Sequence, residues 1–254
     1  MSTAAETLRN RWSGRQGQAL AAEVISRLIR GQALDELPLG HHDGRFDLRY
    51  LWLVSTRLVE DPRLATRELD LIPTLADVHV ADLDLSSSTA RLDLDNSVFR
   101  NCVLDRAGWQ GWRVRASTVS GCSFHGADLR DSSFDANDPL EPVLQTGRSR
   151  WVGCDFTRTR TGPYARWGRA IFDGCLFDAT SFSGYAGGPR FFGNSFLDCT
   201  FRGRFRTTLT FGPYVPQALA PDDKPQLRNV DFREADIDNL DITANIDAQS
   251  CQHA

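Results

Sequence analysis

Large apolar residues fall at every fifth place over one long stretch of the chain: Leu94, Phe99, Leu104, Trp109, Val114, Val119, Phe124, Leu129 and Phe134. A helix repeats near 3.6 residues and a flat strand near 2, so this beat predicts a backbone that turns a corner every five residues. Two residues before most of these positions sits a small one, at Ser97, Cys102, Ala107, Ser117, Cys122, Ala127 and Ser132. The pattern predicts a thin body whose interior alternates large and small side chains.

The beat returns in new phases after interruptions. Downstream triplets of the same form are Cys154-Asp155-Phe156, Ala170-Ile171-Phe172, Cys175-Leu176-Phe177, Thr180-Ser181-Phe182, Asn194-Ser195-Phe196 and Cys199-Thr200-Phe201. Val230-Asp231-Phe232, Ala235-Asp236-Ile237 and Leu240-Asp241-Ile242 close the series, and Ala76-Asp77-Val78 and Ala81-Asp82-Leu83 fit it upstream. Insertions near 137–149, 159–169, 183–190 and 212–226 therefore shift the phase and spare the pattern.

With these triplets the sequence resembles the pentapeptide-repeat family; Ala81-Asp82-Leu83, Ala127-Asp128-Leu129 and Ala235-Asp236-Ile237 match its consensus best. The resemblance implies a mainly β fold, a right-handed quadrilateral parallel β-helix (a pentapeptide-repeat solenoid) with twenty residues per coil. Phe124 would then lie over Leu104 and Leu129 over Trp109, one strand spacing of about 4.8 Å apart. Such a coil is too thin to bury a core alone, so it needs stacked neighbours and covered ends.

Residues 1–45 lack the beat and predict a short α-helical N-terminal cap. Thr3 with Glu6 and Ser13 with Gln16 have capping-box spacing, while Leu20, Val24, Ile25, Leu28 and Ile29 form a helical stripe ended by Gly31 and Pro38. Phe46-Asp47-Leu48 is the expected start of a first irregular coil. The solenoid is assigned to 46–248 and the tail to 249–254.

At 254 residues and 41% hydrophobic, the chain is long enough for a substantial core, and its formal charge of -4 is mild. With no early apolar stretch and no run approaching about 18 apolar residues, the expected localisation is cytoplasmic. Cys102, Cys122, Cys154, Cys175 and Cys199 all occupy the small inward place, which predicts buried free thiols; Cys251 is left over. His41-His42-Asp43 raises a metal reading, but adjacent side chains point apart, and neither a metal nor a cofactor is expected.

No reaction motif accompanies the repeat. Gly121 to Gly126 has the wrong spacing for a nucleophile elbow, and Ser123 and His125 sit on an expected outer face. The insertions are richer, with Tyr164, Tyr185 and Tyr214 together with Arg166, Trp167, Arg169 and Arg190. Arginine beside aromatic residues suits a phosphate-bearing or planar anionic ligand, or a partner surface. Charge is uneven: Arg148 to Arg206 holds ten arginines against four aspartates, and Asp222 to Asp247 eight acids against three bases, so the body should be electrically two-faced. Trp112 occupies a small place, which predicts a local packing adjustment.

One branch of the family is known for protecting DNA gyrase and topoisomerase IV by resembling B-form DNA. This chain is less acidic than such a mimic, its rod carries insertions, and its tail from Thr243 shows no dimerising helix. The expected function is a non-catalytic binding protein that docks on a cytoplasmic macromolecule, type II topoisomerase protection or antibiotic self-resistance being its most specific form. The alternative is a small-molecule-binding protein or enzyme at an Arg/Tyr-lined site formed by the insertions. The acidic C-terminal coils argue against direct nucleic-acid binding, and the sequence sets no oligomeric state.

Overall fold

The computed structural model describes residues 4–52, 72–89, 91–135, 147–162, 164–182, 189–212, 225–242, 247–249 and 251–252. Tyr185, Tyr214, Thr3 and most of the insertions near 137–149, 183–190 and 212–226 lie outside those residues.

The period of five has a backbone cause. Two residues beyond each large apolar residue the chain enters the left-handed region, at Asn96, Asn101, Arg106, Gly111, Ala116, Gly121, Gly126 and Asp131 in succession. Asn, Asp and Gly bear that conformation at least cost, so a corner residue of this kind bends the chain once per repeat. Corner side chains also join successive coils: the amides of Asn96, Asn101 and Asn229 donate to Asp77, Asp82 and Asp198 at 2.6, 2.5 and 2.9 Å.

Between corners the segments pair in parallel and build four walls. The first wall stacks Leu75, Leu94, Val114, Phe134 and Trp167, then Phe191, Phe211 and Ile242. The second is a continuous sheet of eight strands running through Val80, Phe99, Val119, Trp151, Phe172, Phe196 and Leu227. The third carries Leu85, Leu104, Phe124, Phe156, Phe177, Phe201 and Phe232, and the fourth Trp109, Leu129, Thr161, Phe182, Phe205 and Ile237. Thus Phe124 does lie over Leu104 and Leu129 over Trp109, in a four-sided parallel β-helix. Inside the third wall Phe124, Phe156, Phe177, Phe201 and Phe232 form one stack of rings, centroids 4.8 to 5.1 Å apart.

The small inward places do more than leave room. Ser97 Oγ accepts from Val78 N–H at 3.1 Å in the coil below and donates to Leu75 O at 2.9 Å. The thiols act alike: Cys122, Cys154, Cys175 and Cys199 donate to Phe99, Val119, Trp151 and Phe172 carbonyls at 3.7, 3.5, 3.2 and 3.4 Å, each one coil down. All six cysteines are free, and burial pushes the thiols of Cys102, Cys154 and Cys199 up, which keeps them donors. Cys154→Ala is expected to cost about 1 kcal/mol, the net worth of one such bond, and Cys154→Ser less; urea midpoints at an unchanged slope check this.

Two sequence expectations need correction near the N-terminus. Upstream of Leu85 the inward residues are Leu75 and Val80, so in Ala76-Asp77-Val78 and Ala81-Asp82-Leu83 the aspartates are left-handed corners, and Val78 and Leu83 fill small places. Large side chains fit there because helical residues adjoin these coils: helix α2 (Gly14–Ile29) buries Ala21, Val24, Ile25 and Leu28 in the same core cluster as Leu75. Helix α1 (Ala4–Asn10) precedes it. Ser13 is the N-cap of α2 but makes no capping bond; its Oγ donates back to Asn10 O at 2.8 Å. Trp12 Nε1 and Arg11 Nη2 fasten the helices to the first turn of coil through Arg49 O and Asp47 O, at 2.8 and 2.6 Å. Phe46 and Asp47 pair in parallel with Leu83 and Asp84, as a first irregular coil should.

Trp112 needs no bulge. It is 1% exposed, and its indole N–H donates to Leu92 O at 2.7 Å in the coil beneath.

Candidate docking surface

The insertion predicted at 159–169 is one residue beyond the repeat between Thr161 and Trp167, and Arg160 and Arg166 within it pair as wall. Arg166 pairs with Ser133, its N–H donating to Ser132 O at 2.8 Å, so its side chain points outward and is exposed. Arg190 opens the strand Arg190–Phe192, which lies along Thr210–Gly212, and its guanidinium sits 6.0 Å from the Phe192 ring centre. Trp167 and Phe191, the inward residues that follow these arginines, meet at 5.0 Å. Arg166 and Arg190 therefore hold equivalent places in successive coils, each just before one of two inward rings in contact. Tyr164 lies in the turn before Arg166, 58% exposed.

Other predicted site residues go elsewhere. Trp167 is buried, stacked at 4.3 Å on Phe134, because its place in the beat points to the axis. Arg169 is buried at the next corner, where its N–H donates to Asp135 Oδ2 at 3.1 Å and its carbonyl accepts from Arg148 Nε at 2.6 Å. Arg148 Nη2 reaches on to Gly193 O and Ser195 Oγ at 3.1 and 3.0 Å, tying three coils together. Asp135 also accepts from Ser149 Oγ at 3.0 Å; its burial pushes the carboxyl above its ordinary range despite these donors. Asp135 lies under Gly168, and the sequence offered no sign of this pair beyond the glycine itself.

The charge blocks do not make two faces. Thr200–Gly212 and Asp231–Ile242 run side by side as consecutive coils, so the acids lie directly on the arginines: Arg202–Glu234 at 3.1 Å and Arg204–Asp236 at 3.5 Å. Arg130 and Arg160 share Asp128 at 2.8 and 3.3 Å, and Arg115 pairs with Asp95. Burial alone would raise Asp128, but the bonds from Arg130 outweigh it and hold the carboxyl low. Hydrogen bonds from Arg233 likewise hold Asp231 at about 2. Among the described residues no carboxylate lies within ion-pair distance of Arg166 or Arg190.

The histidines and the serine noted in the sequence are engaged locally. His42 Nδ1 meets Asp84 Oδ2 at 2.6 Å and His41 packs on Phe46 at 4.7 Å, so the two rings of His41-His42 do not converge. Ser123 Oγ donates to Asp105 at 2.5 Å rather than facing His125, which is exposed.

Repeat and coil together define the class, a pentapeptide-repeat β-helix with a helical N-terminal segment. No protein-family model matches the sequence, and no curated protein does. Similar solved structures include full-length QnrB1, a plasmid-mediated fluoroquinolone resistance protein, at 13% identity over 71% of this chain and 93% of that one, with a TM-score of 0.24. Another is HetL, a pentapeptide repeat protein involved in heterocyst differentiation regulation from the cyanobacterium Nostoc sp. strain PCC 7120, at 12% identity over 91% and 93%, with a TM-score of 0.27. No helix among the described residues is long and apolar enough to cross a membrane.

Proposed function

We propose that this chain is a non-catalytic docking scaffold for a cytoplasmic macromolecule. The observation that supports it is the layering of charge on the walls: acids and bases neutralise each other from coil to coil, while the exposed guanidinium groups of Arg113, Arg166 and Arg190 on one wall have no carboxylate within ion-pair distance among the described residues. Outward groups held at a fixed repeat suit recognition of another surface better than convergence on a reacting atom.

The most specific form of this reading is protection of a type II topoisomerase such as DNA gyrase, as in antibiotic self-resistance. Mimicry of DNA would draw on acidic walls, and the pairing of Glu234 and Asp236 with Arg202 and Arg204 diminishes that charge, so contact would run through another face. In a gyrase supercoiling reaction inhibited by a quinolone, the purified chain is expected to restore activity in a concentration-dependent way. No effect at a large molar excess removes the topoisomerase form. The alternative, a small-molecule site or enzyme, draws on Arg166 and Arg190 in one wall with exposed Tyr164 in the turn just before, while Trp167 and Arg169 are packed away from it.

A further inference from the structure

We infer that the outer face of the first wall, from Arg113 to Arg190, is a docking strip for a short acidic segment of a partner protein; this rests on the reading of the chain as a docking scaffold. Four successive coils place Arg113, Ser133, Arg166 and Arg190 at the same position of the wall, and of these Ser133 is buried. Arg113, Arg166 and Arg190 are exposed, and none has a carboxylate within ion-pair distance among the described residues. Beside Arg166 the next outward place is Gly168, which projects no side chain, and beside Arg190 it is Phe192, half-buried and within cation–π reach of its guanidinium.

Length and sign decide the occupant. Three coil rises of about 4.8 Å make the strip about 14 Å long, which an extended segment of four or five residues spans at about 3.3 Å each. Above the strip the same wall turns acidic at exposed Asp241, while below it Asp93 and Asp95 are held by Arg91 and Arg115. A nucleic-acid backbone laid along the axis would carry its phosphates past Asp241, whereas a few carboxylates fit below it. A lone phosphate would want backbone N–H donors, and the amides here are spent on the neighbouring coil, as Arg166 N–H is on Ser132 O. Carboxylates need only the guanidinium forks.

Fluorescein-labelled hexaglutamate titrated with the full chain at low salt, read by anisotropy, tests the strip. Saturable binding is expected, weakened at least about tenfold in the Arg166→Ala/Arg190→Ala double variant and unchanged in Arg233→Ala, whose guanidinium is already held by Asp231. Equal melting temperatures would show that the exposed substitutions leave the fold intact. Absence of saturable binding at millimolar protein, equal weakening by Arg233→Ala, or tighter binding of an oligothymidylate of the same charge overturns the proposal. Binding through Arg166 and Arg190 without gyrase protection would leave the strip standing and the topoisomerase reading fallen. Gyrase protection undiminished in the double variant would do the reverse.

Discussion

Phe156→Ala is expected to lower the unfolding free energy by about 3–5 kcal/mol, the range for aromatic truncations in packed cores. Phe156 is 1% exposed and sits between Phe124 and Phe177, with ring centroids 5.1 and 5.0 Å away and planes inclined by 6° and 3°. It also meets Trp151 at 5.7 Å. The void cannot readily close, because the parallel ladders that fix the coil spacing also fix the distance between the rings above and below. Each coil is stabilised chiefly by its neighbours, so the loss is felt on both sides of the deleted ring. Urea denaturation checks the value against Arg233→Ala, an exposed wall substitution expected to cost well under about 1 kcal/mol. Similar losses at the two positions would contradict the inward place of Phe156.

Gly168→Ala should cost about 2–5 kcal/mol, while Gly121→Ala costs about 1–2 kcal/mol. Both glycines have φ of +58°, so both alanines incur the left-handed penalty of about 1–2 kcal/mol. They differ in surroundings. A Cβ on Gly121 meets nothing within 4 Å, but one on Gly168 comes to 2.3 Å from Asp135 O and 2.8 Å from Asp135 Cβ. Asp135 cannot step aside, being held by Ser149 Oγ and Arg169 N–H, so an overpacking cost of about 1–3 kcal/mol is added. Denaturation midpoints of the two variants measured side by side give the difference. Equal effects would mean that Gly168 does not press on Asp135.

Much of this architecture is legible from residue spacing. Phe99, Leu104, Phe124 and Leu129 are inward as the beat requires, and the cysteines two places ahead of large residues are buried. The beat failed where coils adjoin the helical segment, at Val78 and Leu83, since large residues in small places there mimic the ordinary register two residues away. It also overstated the segment around Tyr164, where a single extra residue suffices to shift the phase.

The candidate site was harder to read. Sequence proximity grouped Arg166, Trp167 and Arg169, yet successive residues of a coil point to opposite sides, so one is outward, one axial and one buried at a corner. The arginine-rich and acid-rich blocks looked like separate faces because neither reveals which coil lies on which. Register across an insertion decides that, and it placed Glu234 over Arg202.

By itself the sequence determined what is local and periodic: the corner every fifth residue, the alternation of large and small inward groups, and the helical start, because left-handed corners and burial act on residues a few places apart. Only the tertiary structure decided which charges cancel, which tryptophan is core, and which two arginines stand side by side in water. Those outcomes depend on residues brought together from different coils, whose stacking follows from how many residues each excursion between walls consumes.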